Sequence, residues 1–285
     1  MTSSYSKLPK TLLLISTKSY FKPQHTLQYL RKILDEQNGI INQVKSQSSS
    51  LLFCLIPDFL TIQACSSLLE EHAPCPIFLG AQDCSHSPSY GAHTGSIVPA
   101  ALADLGVTIV ELGHAERRRA PLSESDDLVA AKAAAACSVG LIPLVCIGET
   151  DKPDLSGPLS MAVGTAMRQL SVQVISVLKA VPLDAPVILA YEPVWAIGAA
   201  EPAGVDYVGP VVQTIRGVVN SVVGRTGETR VVYGGSAGPG LWSGENNGGN
   251  ELGKWVDGMF LGRFAHEISG VKKVVDEVVK TLGDR

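Results

Sequence analysis

The chain has little that would mark it for a metal, a membrane or a nucleic acid. Its six cysteines, Cys54, Cys65, Cys75, Cys84, Cys137 and Cys146, form no Cys-x-x-Cys pair and keep no metal-ligand spacing with histidine. Several fall in apolar runs, which reads as reduced core thiols rather than a disulfide framework or a metal centre. No apolar run approaches a membrane span, and Leu12-Leu13-Leu14-Ile15 is too short for a signal-peptide core. Only 18% of the 285 residues are charged, and 23 Lys and Arg stand against 27 acids, a formal charge of -4. Apart from Arg117-Arg118-Arg119 the basic residues are scattered, which excludes a basic footprint for nucleic acid. These absences give the expectation of a soluble, cytoplasmic protein with no metal, no membrane and no nucleic-acid partner.

What is present is apolar and periodic. A hydrophobic fraction of 45% suits a large core in which strands are covered on both faces. Residues 1–10 carry no acid and read as a flexible arm, a short organelle address being the alternative. Strands are expected at Thr11–Ile15, Leu51–Ile56, Pro76–Ala81, Val107–Leu112, Leu141–Ile147, Val187–Tyr191, Arg230–Tyr233 and Gly258–Leu261. Between them, helical spacing is expected over Gln24–Gln37, Asp58–His72, Ile97–Leu105, Glu124–Val139, Leu159–Ala180, Val205–Val223 and Ile268–Leu282, with Asp58 and Ser123 as candidate caps. Residues 42–50 and 83–95 read as loops, and residues 237–254 leave room for a short helix at most. Eight strand–helix alternations point to one α/β domain over 11–285, a single (β/α)8 barrel.

In such a barrel the loops that follow the strands open on one face, so polar residues at strand exits converge. Glu192 stands where Val187–Tyr191 runs out, and Pro193 forbids further pairing. Lys18 follows the first strand, His114 the fourth, Gly234-Gly235-Ser236 the seventh and Gly262-Arg263 the eighth. A carboxylate, an imidazole, a cation and two glycine turns on one rim are the parts of a proton-transfer site with an anion cradle. Singly, each residue has a bland reading as a solvated or structural group. Jointly they do not.

Three stretches carry a resemblance: Glu111-Leu112-Gly113-His114-Ala115-Glu116-Arg117-Arg118, Ala190-Tyr191-Glu192-Pro193-Val194-Trp195-Ala196-Ile197-Gly198, and Tyr233-Gly234-Gly235-Ser236. They resemble the motifs of the triosephosphate isomerase family, in the right order from about Thr11 to the C-terminal helix. Gly80-Ala81-Gln82-Asp83-Cys84, Gly91-Ala92-His93-Thr94-Gly95 and Cys146-Ile147-Gly148-Glu149 add to it. The resemblance implies a TIM barrel that moves a carbonyl between adjacent carbons of a small phosphorylated sugar, with no cofactor. Glu192 would be the base, His114 a neutral electrophile and proton shuttle, and Lys18 the cation beside the enediolate, held from behind by Glu116. Backbone around Gly198, Ser236, Gly262 and Arg263 would cradle the phosphate. Pro193, Val194, Trp195, Ala196, Ile197, Ala199 and Ala200 would form the lid. Thr94 and Gly95 would belong to a loop inserted into the partner of a homodimer.

The departures from the family pattern cluster in the pocket. Ser16 stands where the family has an asparagine that donates to the substrate, Ala200 where it has a lid glycine, and Arg263 where it has a second glycine. Ser96 replaces an acid of the subunit contact. The expected reaction is the aldose–ketose interconversion of glyceraldehyde 3-phosphate and dihydroxyacetone phosphate. Two alternatives stand beside it: the same chemistry on a four-carbon erythrulose phosphate, and a barrel that binds a phosphorylated ligand without turnover.

Overall fold

The computed structural model describes Tyr5, residues 7–198 and residues 203–282. Ala199 and Ala200 of the expected lid lie outside the described residues. Among those described, eight strands pair in sequence order, all parallel, and close into a barrel: β1 (Thr11–Ser16), β2 (Leu51–Ile56), β3 (Ile77–Ala81), β4 (Val107–Leu112), β5 (Ile142–Ile147), β6 (Val187–Tyr191), β7 (Thr229–Tyr233) and β8 (Gly258–Leu261). The seam is β1 against β8, with Leu12 opposite Gly258 and Ile15 opposite Leu261. Around it run α1 (Pro23–Leu34), α2 (Ile40–Ser46), α3 (Ile62–Glu71), α4 (Pro99–Asp104), α5 (Ala115–Arg118), α6 (Asp126–Ser138), α7 (Leu159–Ala180), α8 (Val205–Asn220) and α9 (Ile268–Leu282).

The strands are apolar at consecutive positions because both faces are covered; β1, β2 and β5 are buried at every residue. Two apolar clusters result. One fills the barrel interior with residues such as Leu12, Leu14, Cys54, Ile109, Leu144, Ala190 and Phe260. The other, larger one lies between barrel and helices and includes Leu13, Ile15, Phe53, Val110 and Leu189. Strand side chains alternate faces, so counting by twos from Leu14, Ile109 and Ala190 brings Ser16, Glu111 and Glu192 to the inner face, just above the apolar filling.

Three local expectations are corrected. Residues 42–50 are not a loop throughout, because α2 occupies Ile40–Ser46 and buries Ile40, Ile41 and Val44. Ser123 does not cap α6; it sits at φ +48°, and Ser125 caps the helix by accepting from the Leu128 N–H. Asp58 holds the turn before α3, accepting from Leu60 N–H and Thr61 Oγ1, and the helix starts only at Ile62. Near the barrel the N-terminal arm is anchored. Leu8 is buried, and Arg230 donates to the carbonyls of Leu8 and Pro9. By length and composition alone α7 could cross a membrane. It instead buries Ala166, Leu170, Val174 and Leu178 in the cluster outside the barrel.

A buried ion network fixes the loops that follow β3 and β4. Lys132 of α6, 5% exposed, reaches Asp83 at 2.8 Å and Glu124 at 2.6 Å. Arg117 closes the ring on the same two acids at 2.6 and 2.7 Å. Removing one partner from such a network strands charge in a low dielectric. Lys132→Ala is therefore expected to lower the unfolding free energy by about 3–5 kcal/mol, measured by urea denaturation. A loss under about 1 kcal/mol would reduce the network to the worth of a surface ion pair.

Candidate active site

Glu192 is positioned by its neighbours' lack of side chains. Its N–H donates to the Ile147 carbonyl at 2.8 Å, continuing the β5–β6 pairing one residue beyond the strand. A Cβ at Gly148 would lie 1.9 Å from the Glu192 carbonyl oxygen, and one at Gly234 would lie 2.3 Å from Glu192 Cγ. Only glycine at both places lets the carboxylate turn into the barrel mouth. There Oε2 is buried without a hydrogen-bond partner among the described residues. His114 Nε2 is 3.6 Å away, just beyond hydrogen-bond reach. A buried carboxylate oxygen left unpaired is costly, and a reacting proton is the partner that would justify it.

His114 caps the four-residue helix α5: its Nδ1 accepts from the Glu116 N–H at 3.1 Å. That bond places the ring proton on Nε2, facing Glu192 and the cavity. Burial holds the imidazole below its usual pKa, and the nearby Lys18 and Arg119 charges act in the same direction, against Glu192 and Glu116. The ring is therefore neutral at pH 7 and donates through Nε2. The turn bearing it is clamped by Arg118, which donates to the Gly113 carbonyl at 2.7 Å and pairs with Asp126 at 2.6 Å.

Lys18 stands at φ +47°, in the left-handed region that a side chain with a Cβ rarely adopts. Such strain is tolerated where surrounding structure fixes it, and functional sites are its usual location. Its Nζ pairs with Glu116 Oε1 at 3.1 Å, the contact that the family resemblance implied. Ser16 lies on the inner face beside it and donates through Oγ to Glu111 Oε2 at 2.9 Å.

These groups separate two cavities at the mouth. One, about 560 Å³, is lined by Lys18, Ile197, Gly198, Ser236, Gly262 and Arg263. The other, about 830 Å³, is lined by Ser16, Lys18, Gln82, Glu111, His114 and Glu116 among others. A pocket of about 40 Å³ between them is bounded by Ser16, Lys18, His114, Glu192 and Ile197. Arg263 is exposed, opens the short turn Arg263–His266, and makes no ion pair with Glu267 among the described residues. A cavity of about 1050 Å³ at the opposite barrel end, lined by Lys10, Arg216 and Arg230, contains none of these side chains. Thr94 and Gly95 are exposed in the loop after β3 and lie outside the site of this chain.

Two residues of the site were not singled out by the sequence reading. Glu149, just past β5, gathers three donors on one oxygen: Trp195 Nε1 at 2.7 Å, Tyr207 OH at 2.8 Å and Tyr191 OH at 3.3 Å. Its carbonyl accepts from the Val194 N–H at 3.0 Å, so the first residues of the expected lid are tied to the end of β5. Glu111 is the second. An acid inside the apolar run Val107–Leu112, at an inward register, is the signal that marks it.

A family model for triosephosphate isomerase matches residues 11–278, nearly the whole barrel. The chain belongs to the triosephosphate isomerase family. It is similar to the L-erythrulose-1-phosphate isomerase of Pectobacterium atrosepticum, 38% identical over 270 residues that cover 94% of this chain and 95% of that protein. The protein of the same name from Rhizobium etli is 38% identical over 79% of this chain and 78% of its own length. The triosephosphate isomerase of Gluconacetobacter diazotrophicus is 40% identical over 63% of this chain and 67% of its own length. Membership of this family makes the chain an isomerase-type enzyme, and Glu192 the residue to test first. Glu192→Gln is expected to keep the fold, since the residue lies beyond the strand, and to lower the isomerisation rate by about 10³-fold or more. Retention of most of the rate with an unchanged circular dichroism spectrum would remove Glu192 from the chemistry.

Proposed function

We propose that this protein isomerises a four-carbon ketose phosphate of the L-erythrulose 1-phosphate type, in preference to triose phosphates. The similarity to the Pectobacterium atrosepticum enzyme along nearly the full length of both chains carries this reading. The matches to triosephosphate isomerases are as high in identity but extend over a smaller share of the chain. The third possibility, a barrel that binds without turnover, is disfavoured because Glu192, His114 and Lys18 all stand at one mouth.

The chemistry follows from the substrate's connectivity. L-Erythrulose 1-phosphate carries its ketone on C2, phosphate on C1 and hydroxyls on C3 and C4. C3 is the one carbon beside the ketone that bears a hydroxyl, so the product is again a ketose. Glu192 takes the proton from C3, a C2–C3 enediolate forms, and the same carboxyl returns a proton to C2. His114, neutral, donates through Nε2 to the oxygen that gains charge and moves a proton between O2 and O3. Lys18 offsets the negative charge of the enediolate and draws the phosphate. The phosphate lies against Gly198, Ser236, Gly262 and Arg263, where a guanidinium adds a charge-assisted donor to backbone N–H groups. The lid from Pro193 excludes water while the enediolate exists.

The reading is tested by measuring kcat/KM for L-erythrulose 1-phosphate and for dihydroxyacetone phosphate with one preparation. The four-carbon substrate is expected to be favoured by on the order of 10-fold or more, the scale set by one carbon unit and its hydroxyl in a fitted pocket. The reverse order would return the protein to triose chemistry. We also propose a homodimer, with Thr94 and Gly95 of one protomer near the mouth of its partner and the contact weakened by Ser96. Sedimentation equilibrium at micromolar protein is expected to give a dimer mass. Full activity in a species that is only monomeric would contradict it.

A further inference from the structure

Glu111 is an anomaly inside the barrel. It stands between Val110 and Leu112 on β4, is 3% exposed, and its inner-face neighbours along the barrel are Ile109, Leu144 and Cys146. No cation pairs with it among the described residues. Its hydrogen bond is the one from Ser16 Oγ to Oε2 at 2.9 Å. Burial first, then the negative charge of Glu192, raise its pKa to about 8, against the smaller effects of Ser16 and Lys18. At neutral pH it is therefore mostly the uncharged acid. Ser16 Oγ and Oε2 share one hydrogen bond, which either the serine or the neutral acid can donate. Oε1 makes no hydrogen bond among the described residues, in a residue lining the cavity of about 830 Å³. A neutral carboxyl with one oxygen free beside a cavity is a hydrogen-bonding group for a ligand hydroxyl, as donor or as acceptor. An apolar residue would fill this layer of the barrel at lower cost. Positions where a sequence breaks the local packing rule are where function is expected.

The direction of the site says which oxygen. The phosphate cavity lies on the Gly198–Ser236–Gly262 side, and the small pocket bounded by Glu192 and His114 lies between it and the Ser16–Glu111 cavity. A substrate laid with its phosphate in the first and its reacting carbons at the second extends its far end toward the third. We infer that Ser16 and Glu111 form a subsite for the terminal hydroxymethyl group, C4 and its hydroxyl, which a four-carbon ketose phosphate has and a triose phosphate lacks. The inference rests on the four-carbon reading above. Glu111 Oε1 hydrogen-bonds the C4 hydroxyl, and Ser16, shorter than an asparagine, leaves the volume that the extra carbon fills.

The experiment is the ratio of kcat/KM for L-erythrulose 1-phosphate over dihydroxyacetone phosphate in the wild type, Glu111→Val, Glu111→Gln and Ser16→Ala. Glu111→Val is expected to lower the ratio on the order of 10²-fold, the discrimination lost when a site no longer satisfies a substrate hydroxyl. Glu111→Gln keeps an amide donor of the same length and is expected to hold the ratio within about 10-fold of the wild type. Ser16→Ala, which frees Oε2, is expected to lower the ratio by a smaller factor and serves where Glu111→Val does not fold. A merely structural role would move both substrates in parallel, and an unmoved ratio in folded Glu111→Val or in Ser16→Ala overturns the subsite. A wild type with no four-carbon activity sinks the functional reading and the subsite with it. A wild type that favours the four-carbon substrate but whose ratio survives these substitutions sinks the subsite alone.

Discussion

The alternation of side chains along a strand, locked by closure of the barrel, is the constraint on which the mouth depends. Closure fixes the register of every strand against two neighbours, so no strand can slip a residue without turning its whole inner set outward. Leu12, Leu14 and Ser16 on β1, Ile109 and Glu111 on β4, and Ala190 on β6 with Glu192 just beyond it obey one period. The lower inner layer is hydrocarbon and sulfur, and the layer above it is polar. A carboxylate there has apolar packing below it and open cavity above. That is the condition for a strong base or a neutral acid, and the fold supplies it before any individual residue is chosen.

Within this layer three acids are set apart by their surroundings. Glu116, half-exposed, is held below the usual carboxylate range because the hydrogen bond and charge of Lys18 outweigh its partial burial. Glu111 is pushed the other way by full burial. Glu192 has a buried oxygen with no partner among the described residues and an imidazole just out of reach. One acid paired with a lysine, one buried acid pushed toward its neutral form and one with an unpaired oxygen are three environments for the same side chain. Burial also holds His114 toward its uncharged form; as a cation it would pair with Glu192.

Much of this was legible in the residues. Apolar runs of four to seven residues at regular spacing gave eight strands in the right order, and the helix Leu159–Ala180 and the strand Val187–Tyr191 agree to the residue. Runs with both faces buried leave little ambiguity about where a strand lies. The helix α2 was hidden because three buried residues, Ile40, Ile41 and Val44, suffice for a seven-residue helix when neighbouring elements supply the rest of its stability. That Lys18, His114 and Glu192 meet at one mouth was readable from their places just past strands, and Glu116 beside Lys18 from the family resemblance. The partners of Glu111 and Glu149 were not, because they face these acids across the barrel: a serine on β1 for one, a tryptophan and two tyrosines for the other. No local spacing encodes a partner about a hundred residues away, such as Ser16 is to Glu111.

The departures at this mouth are better read as coordinated than as decay. A site released from selection on catalysis would lose donors and fill its volume at random. Here the asparagine position of the family is Ser16, and Ser16 is hydrogen-bonded across the barrel to Glu111 on β4, the second carboxyl group of the same layer. Burying a carboxyl is expensive if it stays ionised, several kcal/mol for an unpaired ion. The protein avoids that cost by keeping the group protonated, through burial and the neighbouring charge of Glu192. Arg263 changes the opposite end, adding a cation to the cavity that also holds Ser236 and Gly262. Glu192, His114 and Lys18 stand between the two ends. On the four-carbon reading proposed above, changes at both ends of the ligand with these three kept between them would fit one proton-transfer reaction to a longer molecule.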